Sequence, residues 1–532
     1  MDTKKSTCAN YNTNNWSTSL SLKEMYKRIC EKNETESMRK RKFPEEALPR
    51  NNIEVGIVGG GVAGLYSGLL LKNQKIKFHI FEADPERIGG RIYTYRFGGK
   101  KNQYFEAGAM RIPYVHHQEN FFHLVDYVNK LNAKEDQVEL IDYVISSDEN
   151  YVYVNGVRND DGSLITYSQA NANPAKLNFP LDEKDKNIPA QDLFNNILKD
   201  PINQLKKILE KGDEKEFEKF INKYDNLSMH SYLLMQGWSE DKIDYVETMT
   251  SQTQQFEHSF VELLMENIDF TQAKWHTIKD GMSHLPNACK KIIGSDNISL
   301  NSEVYKIREE GNKVRVYYKQ ADSDKEAVYD CVILAVPPAV VRMLDRPLWS
   351  VEKERAIRSI HFQPLYKIGL RFKSRFWENA ENPSYGGQSI TDLPSRWIVY
   401  PSYGIGDSGE GVLLCYSWMA DALKWLSKSP EQQTEIALRD LSHLYGKKVA
   451  SEFVESKPVS WATKWTLGDA KFLPGQFRNL YQIARKSENN IYFAGEHLSP
   501  YHTWIVGAID SALYTCGLIL NTTLTPLSSQ TN

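Results

Sequence analysis

Residues 55–91 read VGIVGGGVAGLYSGLLLKNQKIKFHIFEADPERIGGR. Val55, Ile57 and Val58 form a short apolar strand, and Gly59, Gly61 and Gly64 fit G-x-G-x-x-G. Leu65, Leu69 and Leu70 continue on a helix, and Phe78, Ile80 and Phe81 make a second strand that ends in Glu82. Each part has a mechanical reason. Gly59 permits the tight turn, Gly61 lets backbone N–H groups approach a pyrophosphate, and Gly64 lets the helix pack on the strand. The helix N-terminus offers free N–H groups and partial positive charge to phosphates. Glu82 stands where a carboxylate accepts from a ribose diol. The stretch predicts a dinucleotide site in an α/β fold.

The chain has 532 residues, too many for a single core, so two or three domains are expected. A hydrophobic fraction of 41%, 25% charged residues and a net charge of −3 give no bulk electrostatic case for nucleic acid or membrane. Cys8, Cys30, Cys289, Cys331, Cys415 and Cys516 are scattered, with no metal-type spacing, and read as reduced thiols. No signal-peptide core appears in MDTKKSTCANYNTNNW and no uncharged apolar run is long enough for a bilayer, which predicts a cytoplasmic protein. The apolar stretch from Trp504 to Leu520 holds Asp510 and Ser511 and reads as a buried helix. G-x-S-x-G, H-E-x-x-H and Walker patterns are absent, so hydrolysis and phosphoryl transfer have no footing. No metal site is expected. His116, His117 and His502 read as surface or packing residues.

Residues 1–50 read as an extension and linker, with a helix at 20–31 and a basic run at Arg39–Lys42. Residues 155–275 are rich in Lys, Glu, Asn and Asp at helical spacing and read as a helical domain. The remainder divides into a discontinuous dinucleotide domain, 51–115 plus 276–345 plus 455–520, and a substrate domain, 116–154 plus 346–454. Strand signals return at 304–318 around a Glu-Gly-Asn turn, at 332–341 until Pro337 and Pro338, and at 365–372, 396–400, 412–418 and 491–495. Residues 430–445 read as a helix.

Five separated motifs resemble the flavin amine oxidases, and within them the L-amino acid oxidases. They are GGGVAG with FEADPERIGGR, YFEAGAMRIP (104–113), IKDGMSHLP (278–286), GGQSITDLPSRWIVYPS (386–402), and YFAGEH followed by TWIVGAIDSA (492–512). The resemblance covers about 53–520 and implies a glutathione-reductase-like FAD-binding Rossmann domain, a mixed-sheet substrate domain and a helical insert. It assigns the cofactor to Gly59, Gly61, Val62, Ala63 and Gly64, to Glu82 and Ala83 at the adenosine ribose, and to Arg87, Gly89, Gly90 and Arg91 near the phosphates and flavin. Gly108, Ala109, Met110 and Arg111 follow, then Val304 at adenine, Gly495 and Glu496 at the ribityl chain, and Trp504 with Ile505 at the pyrimidine. No cysteine lies between 416 and 515, where some relatives attach the flavin, so FAD is expected to be non-covalent.

The resemblance also implies roles in chemistry. Arg111 offers a guanidinium fork for an α-carboxylate, and Tyr400 a second donor. Trp504 and Tyr400 would flank the amine, with Thr503, where relatives have Gly, narrowing the pocket. Lys367, in an apolar strand, would act through water on reaction with oxygen, whereas Lys373 would be exposed. Some relatives carry a His where this chain has SFVELLMENIDF (259–270), so no base is assigned there. The helical insert, the strand near Trp418 and Asp421, and Thr503 are alternatives for the side-chain pocket, and Asp421 reads equally as an acid for a basic side chain or as a helix cap.

The expected reaction is oxidation of a free L-amino acid by O2 to a 2-oxo acid, ammonia and hydrogen peroxide. An amino-acid 2-monooxygenase stays open, since LLCYSWMADALKWL (413–426) resembles those enzymes. An amine or polyamine oxidase is disfavoured, because its substrates lack a carboxylate for Arg111. A non-enzymatic flavoprotein is a further alternative, and so is a homodimer for the assembly.

Overall fold

The computed structural model describes residues 53–531 other than 271–273 and 464. The helix expected at 20–31, the basic run at 39–42, and Cys8 and Cys30 lie outside the described residues.

The glycine-rich unit folds as read. β1 (Glu54–Val58) leads into α1 (Val62–Asn73) and β2 (Lys77–Phe81). β3 (Ile298–Ser299), β4 (Cys331–Leu334) and β5 (Ile491–Phe493) complete a parallel sheet in the order β3-β2-β1-β4-β5. Ile57 stands opposite Ile80 on one side and Ile333 on the other. Because the chain winds outward from β1 in both directions, a crevice opens beyond the C-terminal end of β1. Both faces of β1 are covered, which explains its nearly continuous apolar run. Val55 and Ile57 pack in one core with Leu65 and Leu69 of α1 and Ile509 and Ala512 of α2 (Ile505–Leu520). Val58 packs in another with Ile307, Val314 and Val316, on the antiparallel strands Ser302–Glu310 and Lys313–Gln320.

A seven-stranded mixed sheet forms the second body. Its order is Phe453–Ser460, Leu365–Phe372, Gly411–Trp418, Trp397–Val399, Gln388–Thr391, Tyr151–Tyr153 and Ile165–Thr166. This corrects the expected domain borders at two points. Phe453–Ser460 pairs along Leu365–Phe372 in the substrate sheet rather than opening the last dinucleotide segment at 455. Ile165–Thr166 also joins this sheet, so the helical domain begins after it. Helices Ala190–Lys211, Glu214–Tyr224, Met229–Met235, Glu240–Met249 and Phe260–Phe270 make up that domain. Pro430–Tyr445 is a helix closed at its start by a capping box between Ser429 and Gln432.

Among the described residues no helix is long and apolar enough to cross a membrane. Cys289, Cys331, Cys415 and Cys516 are unbridged and buried.

Candidate active site

A cavity of about 1410 Å³ starts at the C-terminal ends of β1 and β2 and runs into the seven-stranded sheet. All residues assigned from sequence to cofactor or substrate line it, except Gly64 and Tyr400.

The dinucleotide end is shaped by missing side chains. Gly59 has φ +106°, the left-handed region that favours glycine. A Cβ on Gly64 would lie 2.0 Å from the Gly59 carbonyl oxygen, so Gly64 serves the packing of α1 against the turn and has no place on the cavity wall. Opposite Gly61 the nearest atom to a built Cβ is the Gly90 Cα at 3.9 Å, and both glycines face the cavity. Glu82 is bound on both oxygens, by the N–H of Gly60 at 2.8 Å and of Asp84 at 2.9 Å. Burial raises its pKa, against those two bonds. The carboxylate therefore braces the glycine turn while facing the cavity, where its remaining lone pairs can accept from a ribose diol. Val304 lines the same end, at a register shift in its strand.

The middle of the cavity joins both ends of the chain. Arg91 donates to Glu496 at 2.6 Å and to the Gly468 carbonyl at 2.9 Å. Glu496 also accepts from the N–H groups of Ala470, at 3.1 Å, and Thr503, at 3.2 Å. Burial disfavours this carboxylate, yet Arg91 and the neighbouring His497 and His502 hold its pKa below the usual value. Thr503 has φ +67°, a costly conformation for a β-branched residue and the reason glycine is expected there. It delivers the chain to Trp504 and the start of α2, whose N-terminus faces the cavity at Ile505. These features fit a bound FAD: a glycine cradle for the pyrophosphate, an acid for the ribose, and a helix N-terminus for a ring that gains negative charge on reduction.

The substrate end surrounds Arg111. Its guanidinium carbon lies 5.2 Å from the Trp397 ring centre, 5.8 Å from Trp275 and 6.0 Å from Tyr143. Trp275 packs against Trp504, with ring centres 6.1 Å apart. Lys367 is buried in mid-strand, as expected, and donates to the carbonyls of Gly108 at 2.6 Å and Glu106 at 3.1 Å. It stands 4.7 Å from the centre of the Tyr416 ring. Burial, helped by Arg111 and opposed by Glu106, pushes its pKa down to about 7. Glu106 is pushed up to about 7 by burial, against bonds from Met282 N–H and the Thr94 hydroxyl.

Two expectations are corrected. Tyr400 is fully buried away from the cavity, with its hydroxyl on Ser389 at 2.8 Å and Tyr445 at 2.6 Å. Strand alternation explains it: Ile398 and Tyr400 pack in the core behind the sheet, whereas Trp397 and Val399 pack on the side of Met110. Trp397 and Tyr416 hold the wall that Tyr400 was expected to hold. Asp421 is not a pocket acid, since it pairs with Arg396 at 2.6 Å and Lys424 at 2.9 Å. Trp418 and Thr503 do line the cavity, and Lys373 is exposed.

Sequence reasoning missed a buried polar wall. Phe260–Phe270 carries Glu262 and Glu266 four residues apart. Glu262 pairs with the buried His502 at 3.0 Å, and Glu266 pairs with Lys471. Gln363 and Asp469 line the cavity together with Glu266 and Lys471. The available signal was the i, i+4 spacing of Glu262 and Glu266, which sets both on one face of a largely apolar helix.

The family model for flavin containing amine oxidoreductases matches residues 62–520. A Dictyostelium discoideum protein named "Putative bifunctional amine oxidase" is 32% identical over 501 residues, 87% of this chain, and the chain spans 46% of that relative's length. An L-amino-acid oxidase of Siganus canaliculatus is 31% identical over 480 residues, covering 88% of this chain and 86% of its own. Among solved structures, cyclohexylamine oxidase from Brevibacterium oxydans shares the fold at a TM-score of 0.67 and 16% identity, over 88% of this chain and 99% of the other.

Proposed function

The chain belongs to the flavin containing amine oxidoreductase family and takes FAD as its cofactor, and from that premise we propose that it oxidises a free L-amino acid. The products are a 2-oxo acid, ammonia and hydrogen peroxide, formed from the amino acid, water and O2. The observation that carries this reading is Arg111, a guanidinium set among Trp397, Trp275 and Tyr143 on the wall of the cofactor cavity. Arg111 lines the cavity beside Lys367 and Trp504, and its planar guanidinium fork matches a carboxylate in shape and charge. Simple amines and polyamines offer no such group.

A non-covalently bound FAD would be held by the glycine turn, Glu82 and the start of α2, and would supply a two-electron acceptor that oxygen can reoxidise. The chain's residues supply position and environment. Arg111 holds the α-carboxylate and so fixes the orientation of Cα and its amine. Trp397, Tyr416 and Trp504 wall the amine and exclude water. A substrate amine that enters neutral needs no protein base. Lys367, poised near neutrality, holds a mobile proton at the boundary between the two bodies and serves the reaction with oxygen.

The test is product identification. Twenty L-amino acids and their D-forms are screened for peroxide release, and products are weighed by mass spectrometry. Ammonia, peroxide and a 2-oxo acid from L-forms support the reading. An amide and carbon dioxide identify the decarboxylating monooxygenase, and turnover confined to amines without a carboxylate rejects the role of Arg111.

A further inference from the structure

The cavity has a second polar end besides Arg111. Strand Phe362–Gln363 pairs antiparallel with Asp469–Ala470, which sets Gln363 opposite Asp469. Gln363 Nε2 donates to both carboxylate oxygens, at 2.8 and 3.0 Å. The amide cannot be turned round, because an ionised carboxylate only accepts. Its Oε1 is therefore left buried with no hydrogen-bond partner among the described residues, on a side chain only 4% exposed that lines the cavity. Glu266 and Lys471, paired to each other, line the same wall. The one ammonium beside Asp469 on this wall, that of Lys471, is held by Glu266.

This wall belongs to the chamber that holds Arg111. Asp469, Arg111, Lys367 and Tyr416 all line the cavity, and the charges of Asp469 and Arg111 both act on Lys367 and on Tyr416. A substrate whose carboxylate sits on Arg111 has its side chain free to reach across. What it meets is rich in acceptors and short of donors: the Asp469 carboxylate and the unmet Gln363 Oε1. An apolar side chain packed here would keep the Gln363 Oε1 without a partner and would strip water from the Asp469 charge, which is costly. A side chain ending in several N–H donors with positive charge would satisfy both.

We propose that Gln363 and Asp469, with Glu266 beside them, form the subsite for the end of the substrate side chain, and that it takes an ammonium or guanidinium. The preferred substrates are then basic L-amino acids. This rests on the reading that the substrate is an amino acid held by Arg111.

The experiment compares kcat/KM for peroxide release from L-lysine, L-ornithine and L-arginine with that from L-norleucine and L-phenylalanine. The proteins are the wild-type holoenzyme, Asp469→Asn and Asp469→Ile, with visible flavin absorbance confirming that each variant is loaded. The wild type is expected to favour the best basic substrate over norleucine by about 30-fold or more, the scale set by burying a polar site without its partner. Both variants are expected to lose that preference, mainly through a higher KM for the basic substrate, and the isoleucine variant to invert it. Wild-type preference for norleucine or phenylalanine, or a basic preference that survives Asp469→Asn and Asp469→Ile in loaded protein, overturns the subsite alone. Turnover of cadaverine or agmatine with none of lysine or arginine overturns both the subsite and the Arg111 reading beneath it.

Discussion

Lys367 Nζ donates to the Gly108 carbonyl across 2.6 Å, three residues before Arg111. A lysine of the substrate sheet thus braces the loop that presents the carboxylate-binding arginine. Gly108 itself leaves no slack, since a Cβ there would lie 1.9 Å from the Arg91 carbonyl oxygen.

Lys367→Met is expected to separate the two halves of the reaction. Substrate should still bleach the flavin under anaerobic conditions. Reoxidation by dissolved oxygen should slow by about 100-fold, the scale for losing a preorganised charge or proton donor. Stopped-flow measurement of each half reads this directly. Unchanged reoxidation would make Lys367 a brace for the loop and nothing more.

The same lysine predicts a pH dependence of stability. Its folded pKa of about 7 lies below the ordinary value of 10.5, so between these the unfolded chain binds more protons and stability rises with pH. The cost of burial is fully present below pH 7 and is relieved toward pH 10.5. Lys353, buried against the carbonyls of Ala484 and Lys486, is also lowered to about 7 and adds to the same trend. Glu106 titrates on the other side, its raised pKa acting between 4.5 and about 7. Above about pH 8.5 the buried thiols, whose pKa values burial raises, oppose the trend, so denaturant midpoints should rise from pH 7 to about 8.5 in the wild type and rise less in Lys367→Met.

Tyr400→Phe is expected to leave KM for amino acids unchanged, because the hydroxyl bonds Ser389 and Tyr445 behind the sheet. Its cost should appear as about 1 kcal/mol of stability from the broken network. Trp397→Ala, on the cavity side, should raise KM. The opposite pattern would return Tyr400 to the site.

Thr503→Gly should stabilise the protein by about 1 kcal/mol, because a threonine at φ +67° is strained and a glycine there is not. A thermal or denaturant midpoint that falls instead would mean that the threonine side chain makes contacts worth more than the strain.

Much of the fold was legible because its signals are local. The strand, glycine turn, helix and acid of residues 55–82 sit within one short stretch; the motif at 492–512 returns to it through β5 in the parallel sheet, and the motif at 104–113 through the antiparallel pairing of Tyr104–Glu106 with Thr94–Arg96. Lys367 was legible as a charge in an apolar strand. Tyr400 was misread because a shift of a single residue along a strand exchanges its two faces, and only the sheet shows which face meets the cavity. The pairing of Gln363 with Asp469 joins segments 106 residues apart, so no periodicity announces it. The border at Phe453–Ser460 was missed for the same reason, since an edge strand is assigned by its partner.

The central claim is that the substrate's carboxylate rests on Arg111, and steady-state kinetics of Arg111→Met test it most directly. With FAD content verified by absorbance, KM for the best L-amino acid should rise about 30-fold or more, as expected for truncating a buried charged pair. The amine analogue of the same substrate, lacking the carboxylate, should show no comparable loss. An unchanged KM for the amino acid in flavin-loaded Arg111→Met would contradict the account.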